Sequence, residues 1–278
     1  MFASNPFAEL SASIPPAVMQ WYVLAMLFCV VGGTLFDVIH KQSAKYFFDN
    51  WRDARSQAKQ PGGSIGSLAV KTLASEVLAS SEFCNTKRRI AHLLTMYGFI
   101  VFVMTTNIMV FGYPTSVDAT PSILPVLWHL GALLMCIGGY WFWFFIRVDV
   151  AAEGNSPFRI VRADLFSLSL MATATFALIW SFLQSTGSSW TMIFLGLFLI
   201  ATTVLFGSVP WSKFSHMFFK PAAALQKRVA EEDGSRSNLP APADRTDPAV
   251  RNSHSMELMK DAPMSMGLGI KREDPRHY

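Results

Sequence analysis

Histidines are the side chains of this sequence best suited to bind a redox cofactor. Of the six, four fall at or near the ends of long apolar segments: His40, His92, His129 and His216. Two neutral imidazoles that face each other across a helical bundle are the axial ligands that a low-spin b-type haem requires. His92 and His216 are the candidate pair, because they reach a similar depth if the last apolar helix continues through a kink at Pro210 to Phe219.

Basic residues flank both of these histidines. Arg88 and Arg89 precede His92, and Lys213 precedes His216, so the three cations are candidate hydrogen-bond partners for haem propionates. An interfacial histidine can equally be an amphipathic side chain that is satisfied by lipid headgroups and water. Spacing alone leaves both roles open.

The remaining reactive side chains give weaker signals. Asp37 and Asp164 lie at the ends of apolar segments, where a carboxylate is either solvated at the interface or engaged in proton or quinone chemistry. The three cysteines form no CxxC pair. The sequence therefore predicts no catalytic residue in this chain.

Composition identifies the elements that must position the histidines. The chain of 278 residues is 51% hydrophobic and 15% charged, whereas soluble domains carry about 25% charged residues. Each apolar segment is long enough to cross a hydrocarbon core of about 30 Å. This pattern disfavours a soluble enzyme, a secreted disulfide scaffold and a nucleic-acid binder. It predicts an all-α, multi-pass membrane protein with a five-helix bundle at residues 17–39, 90–113, 124–146, 165–182 and 190–219.

The basic residues predict the orientation of this bundle. All 23 lie in three regions: between helices one and two, between helices three and four, and from Lys213 to the C-terminus. Because Lys and Arg are retained on the cytoplasmic side, we expect the N-terminus outside and the C-terminus in the cytoplasm. Residues 1–221 then form the membrane domain, which includes a cytoplasmic segment at 40–89.

The cytoplasmic segment is divided by a turn signal, Gln60-Pro61-Gly62-Gly63. Before the turn the chain is basic and aromatic. After it, the apolar residues Ile65, Leu68, Leu73, Val77 and Leu78 are spaced as in an amphipathic helix. Such a helix lies on the membrane surface, against a partner, or simply over the bundle.

Residues 222–278 are predicted to be a largely disordered cytoplasmic tail, because Pro, Ala, Asp, Arg and Ser dominate much of this stretch. Its last part contains a Met-rich run. Adaptable methionine side chains suit a docking peptide, although a solvated tail is an equal alternative. The candidate partner-docking residues are Met256, Met259, Met264 and Met266.

Three stretches resemble a known family. They are Lys87 to Phe99, Arg162 to Phe166, and Pro210 to Pro221, and they are similar to the cytochrome b membrane subunits of the respiratory nitrate reductase gamma type. Relatives in this broad family include the membrane subunits of heterodisulfide reductase and of the quinone-interacting oxidoreductase. Within it, the tail from Gly267 to Tyr278 is most similar to the membrane anchors of adenylylsulfate reductase in sulfur-oxidising bacteria.

The resemblance implies b haems that are each held by one histidine from helix two and one from helix five. His92 and His216 match the inner pair of ligands. The outer pair is expected near Phe102 and Phe198, where the sequence has no histidine. The resemblance therefore implies at most one haem, and the quinone site beside the outer haem cannot be transferred to this chain.

The function implied is electron transfer in the bacterial inner membrane. The chain would anchor a cytoplasmic flavin and iron-sulfur enzyme of the adenylylsulfate reductase type and pass electrons from sulfite oxidation to membrane quinone. The alternative is a haem-free anchor or assembly protein for the same reductase. A transporter is a third hypothesis, which the odd helix number and the absence of a visible internal repeat disfavour.

Overall fold

The computed structural model describes residues 2–40, 42–81, 83, 85–151, 153–211 and 216–239. Throughout these residues the regular structure is helical. The α-helices, in chain order, are α1 (Pro6–Leu10), α2 (Pro16–His40), α3 (Ser43–Ser56), α4 (Ile65–Thr72), α5 (Thr86–Gly112), α6 (Ile123–Trp141), α7 (Val148–Ala151), α8 (Leu165–Ser185), α9 (Thr191–Gly207) and α10 (His216–Glu232).

Four helical segments are long and apolar enough to cross a membrane: α2, α5, α6 with its π-helical continuation Phe142–Ile146, and α8. The prediction of an all-α fold with several candidate membrane-spanning helices is confirmed at this level, with four such helices in place of the predicted five. The apolar helix α9 has 17 residues, which is at the lower limit for a transmembrane helix.

The last apolar helix ends earlier than predicted. The sequence predicts one helix over 190–219, but α9 ends at Gly207 and a 3-10 turn follows at Val209–Trp211. Pro210 explains the break, because proline has no N–H to donate and its ring clashes with the carbonyl four residues earlier. The prediction of a continuous, merely kinked helix up to Phe219 is therefore wrong.

The chain divides into two compact units. The first contains Met1–Lys45 and Thr86–Lys220, and the second contains Tyr46–Asn85 and the chain from Pro221 onward. The sequence instead predicts one membrane domain over 1–221 that includes the 40–89 segment.

In the first unit, glycines bring α5 and α6 into close contact. A Cβ atom on Gly98 would lie 2.7 Å from the Gly131 carbonyl oxygen, and one on Gly131 would lie 2.8 Å from the Gly98 carbonyl oxygen. Near the start of α5, a Cβ on Gly138 would lie 2.6 Å from the Ala91 carbonyl oxygen. Small residues at such positions let membrane helices pack backbone to backbone.

The short helix α1 covers one end of this unit. The Asn5 side-chain oxygen accepts hydrogen bonds from the backbone N–H groups of Phe7 and Ala8, and so caps the helix. The Asn5 amide also donates to the Tyr113 carbonyl oxygen at 3.0 Å. The ring of Phe7 contacts Trp128 and Trp180 at centroid distances of 5.7 and 5.4 Å. Helix α1 is thus fixed to the ends of the long helices.

The second unit is held together by polar contacts that are distant in sequence. The Asp233 carbonyl oxygen accepts hydrogen bonds from the backbone N–H groups of Lys59 and Gln60, at 2.9 and 3.2 Å. Arg228 forms an ion pair with Glu76 at 2.8 Å. Residues 222–239, which the sequence assigns to a largely disordered tail, are therefore helix and turn in the structure. The rest of that predicted tail, from residue 240, lies outside the described residues.

The helix predicted after the Gln60–Gly63 turn is confirmed. Helix α4 begins at Ile65 and continues as a π-helical turn over Leu73–Leu78. Leu68 is buried, whereas Leu73 and Leu78 are about half exposed, so this segment presents apolar side chains on more than one face.

Candidate functional site

The candidate haem ligand His92 lies in the second turn of α5, three and four residues after Arg89 and Arg88. Residues at these spacings share one face of a helix. His92 is exposed and the two arginines are half-buried. The Arg88 guanidinium carbon lies 6.0 Å from the ring centroid of Phe142. The structure thus brings one imidazole and two guanidinium groups together at the N-terminal end of α5.

The second predicted ligand, His216, is the first residue of α10. Its side chain, and all of Lys213, lie outside the part of the chain that the structure describes. The pairing of His92 with His216 therefore stays a prediction.

Aromatic rings lie at the two positions near which the resemblance implies an outer pair of haem ligands. Phe102 on α5 meets Phe198 on α9 with ring centroids 6.4 Å apart. Trp128 stacks on Phe102 at 5.0 Å, and Trp180 stacks on Phe198 at 5.7 Å. All four side chains are buried. The positions that lack histidine are thus occupied by a packed core.

A second aromatic contact joins the same two helices on the His92 side of this core. The ring centroids of Phe99 and Phe206 are 6.2 Å apart. His92 precedes Phe99 by two helical turns, or about 10 Å along the axis of α5. The two aromatic contacts thus fill the space between α5 and α9 at Phe99 and at Phe102, and His92 lies toward the start of α5 from both.

The other described histidines have local roles. His129 is buried, and its Nδ1 and Nε2 atoms lie 2.7 Å from the Pro125 carbonyl oxygen and from Ser181 Oγ. Since a carbonyl can only accept, Nδ1 donates and Nε2 accepts from the serine hydroxyl. Both nitrogens are thus engaged within the protein. The ring of His40 stacks on Phe36 at 5.3 Å.

An ion pair that the sequence analysis missed resolves the role of Asp164. Its Oδ2 atom lies 2.7 Å from Nη1 of Arg147, and only 6% and 13% of the arginine and aspartate side chains are exposed. The Arg147 guanidinium also lies over the Trp143 ring at 4.0 Å. The available signal was an arginine at the end of one apolar segment and an aspartate at the start of the next. The second carboxylate, Asp37, is buried in α2.

Among the described residues, no group of three or more His, Cys, Asp or Glu side chains can hold a metal ion. No protein-family model, curated protein or solved structure matches this chain.

Proposed function

We propose that this chain is the membrane-anchoring electron-transfer subunit of a cytoplasmic flavin and iron-sulfur enzyme of the adenylylsulfate reductase type. It spans the bacterial inner membrane five times, with α9 as the fifth span, and passes electrons from sulfite oxidation to quinone. The observation that supports the proposal is the position of His92, beside two arginines and toward the start of α5 from the aromatic contacts between α5 and α9.

The residues around His92 are the candidates for the haem site. His92 and His216 would hold the iron, and Arg88, Arg89 and Lys213 would neutralise the propionates. A b-type haem would supply a one-electron carrier between the reductase and quinone. Phe99 and Phe206 would form its apolar floor, and the guanidinium groups would stabilise carboxylates at the edge of the membrane.

A haem-free anchor or assembly protein is the second candidate function. It is favoured by one observation: α9 ends at Gly207, and His216 begins a separate helix rather than continuing α9. A continuous fifth helix would place His216 at the same membrane depth as His92. Because α9 ends before His216, equal depth along one helix no longer supports this pair. Under this alternative the chain would recruit the reductase to the membrane, and another subunit would carry the electrons.

A pyridine haemochrome assay on the purified full chain separates the two functions. We expect about one b-type haem per chain, lost in His92→Ala and in His216→Ala and retained in His129→Ala, because a ligand loss empties or destabilises the site. Normal haem content in either of the first two variants would refute the pair. A wild-type chain without haem that still co-purifies with the reductase would establish the haem-free anchor.

The proposed orientation has its own test. A reporter that is active only in the periplasm, fused after Tyr278, should be inactive, and the same reporter fused between α5 and α6 should be active. The reverse pattern would exclude a cytoplasmic docking site for the reductase.

A further inference from the structure

The connection between α7 and α8 exposes large apolar side chains on a well-fixed backbone. Phe158 is 79% exposed and Ile160 is 65% exposed. Arg147 Nη2 donates to the Arg159 carbonyl oxygen at 2.8 Å, and Asp164 Oδ2 accepts from the Val161 N–H at 3.0 Å. Both ends of this short segment are therefore tied to the Arg147–Asp164 ion pair.

Burial of this ion pair has a desolvation cost, which the contacts of the pair must offset. Removing both charges from water costs several kcal/mol for each ion, and hydrophobic replacements are often as stable. Here Arg147 Nη2 donates to the backbone carbonyl oxygens of Pro157 and Arg159, and Asp164 Oδ2 accepts from the Val161 N–H as well as from Arg147. A rigid loop loses less conformational entropy when it binds. The ion pair thus fixes the backbone that carries Phe158 and Ile160, and both exposed side chains are available for contact with an apolar surface.

The position of Phe158 indicates which apolar surface these side chains would contact. Its ring meets Phe144 edge to face, with centroids 6.3 Å apart. Phe144 belongs to the apolar stretch Ile123–Ile146, which is long enough to cross a membrane, and its neighbour Phe145 is 70% exposed. Phe158 therefore adjoins the apolar surface of a candidate membrane span near the end of that span.

Positive charge accompanies these apolar residues. Arg159 and Arg162 are both exposed on the same segment. The ion pair of Arg159 with Glu153 is long, at 3.9 Å, and each side chain is about half exposed, so it contributes little. Guanidinium groups match the geometry of phosphate. Apolar side chains with adjacent arginines are typical of segments that lie in a membrane interface.

We propose that residues 158–162 form an interfacial anchor that binds anionic phospholipid. Phe158 and Ile160 enter the boundary between headgroups and acyl chains, while Arg159 and Arg162 bind headgroup phosphates. The buried Arg147–Asp164 pair positions this segment. The inference depends on membrane insertion of the apolar helices and not on the identity of any redox partner.

Depth measurement by spin labelling tests the apolar contact. A nitroxide is attached at Phe158→Cys in the full chain, with Cys29, Cys84 and Cys136 replaced by alanine, in vesicles containing phosphatidylglycerol. Phe145→Cys is the lipid-facing control, and Ser156→Cys, on the same loop, is the polar control. We expect the label at 158 to collide with oxygen more than with an aqueous nickel complex, as at 145. An aqueous profile like that at 156 would overturn the proposal and assign the surface to a protein partner.

The lipid charge is tested by the paired substitution Arg159→Gln with Arg162→Gln. We expect phosphatidylglycerol, compared with phosphatidylcholine, to raise the Tm of the wild type, and this variant to lose at least half of that rise. The matched control is Arg52→Gln with Arg55→Gln, which removes the same charge from exposed positions on α3 and should retain the rise. The proposal would be overturned if phosphatidylglycerol did not raise the Tm of the wild type. It would also be overturned if the control variant lost as much of that Tm increase as the Arg159 and Arg162 variant.

Discussion

Phe102 of α5 and Phe198 of α9 meet edge to face, with ring centroids 6.4 Å apart and planes at 90°. These are the two positions near which the family resemblance would place the outer haem ligands. Trp128 and Trp180 pack against the pair and are fully buried. A ring cluster thus fills this part of the bundle, and its packing contributes to holding α5 and α9 together.

Phe198→Ala should destabilise the bundle, because it leaves a cavity between Trp180 and Phe102. In soluble cores the cost of Phe→Ala is about 3–5 kcal/mol. We expect less here, because lipid is as apolar as the core and only the lost packing remains. The Tm in detergent should fall for Phe198→Ala and stay within error for Phe182→Ala, whose side chain is 52% exposed. Equal Tm values for the two variants would show that the cluster does not support the fold.

Gly98→Ala should also lower the Tm, because its new methyl group would meet backbone atoms of α6 at 2.7 to 2.9 Å. Backbone cannot move aside as a side chain can, so the helices must separate; overpacking of this kind typically costs about 1–3 kcal/mol. Gly196→Ala in α9 is the matched control, since nothing lies within 4 Å of its Cβ position. That control should be neutral or stabilising, because alanine favours helix. A neutral Gly98→Ala would contradict the close approach of α5 and α6.

The membrane helices could be predicted from hydropathy because membrane thickness sets their length. The predicted span 17–39 agrees with Pro16–His40, and 165–182 agrees with Leu165–Ser185 to within three residues. The error at the last helix had a local cause that the sequence contained, namely Pro210. The break could have been predicted from the lost N–H and the ring clash, rather than read as a kink.

The parts that could not be predicted depend on contacts between distant residues. Gln60 Nε2 donates to the Glu232 carbonyl oxygen across 172 positions of sequence, and no local pattern encodes such a contact. The polar composition after Pro221 therefore indicated disorder where α10 is in fact folded. For the candidate site, the absence of outer histidines was visible in the sequence. The packing of Trp128 and Trp180 at these positions was not visible, because it depends on how four helices pack.

Arg147→Gln should destabilise the first unit strongly, because it leaves the Asp164 carboxylate buried without its cation. Removing one partner of a buried pair typically costs about 3–5 kcal/mol. The double variant Arg147→Gln with Asp164→Asn should recover part of the loss, since no charge stays buried. Lys227→Gln, from the exposed pair with Glu231, is the control and should change stability by less than about 1 kcal/mol. The Tm in detergent measures all three, and a double variant worse than Arg147→Gln would contradict this account.

Two truncations separate the folded part of the C-terminal region from the rest. A chain that ends at Leu239 keeps the Asp233 carbonyl oxygen that accepts from Lys59 and Gln60, so the second unit should stay folded. A chain that ends at Ala230 loses this acceptor and exposes the backbone N–H groups of the turn. We expect protease cleavage at residues 57–63 to become faster only in the shorter chain. Equal cleavage of both chains would show that these hydrogen bonds do not hold the turn.

If the chain anchors the proposed reductase, we expect the Met-rich run to be the segment that docks it, since its methionines offer the apolar surface that a docking peptide needs. Met259→Ser, Met264→Ser and Met266→Ser together remove that surface and leave every charge in place. We expect this triple variant, and the chain ending at Leu239, to retain less of the co-expressed reductase during purification than wild type, with an unchanged Tm. The matched control replaces Ser253, Ser255 and Ser265 with alanine, which keeps the methionines. Wild-type retention in the triple variant would assign docking to the 40–89 segment, because the cations there could still steer an acidic enzyme surface to this protein.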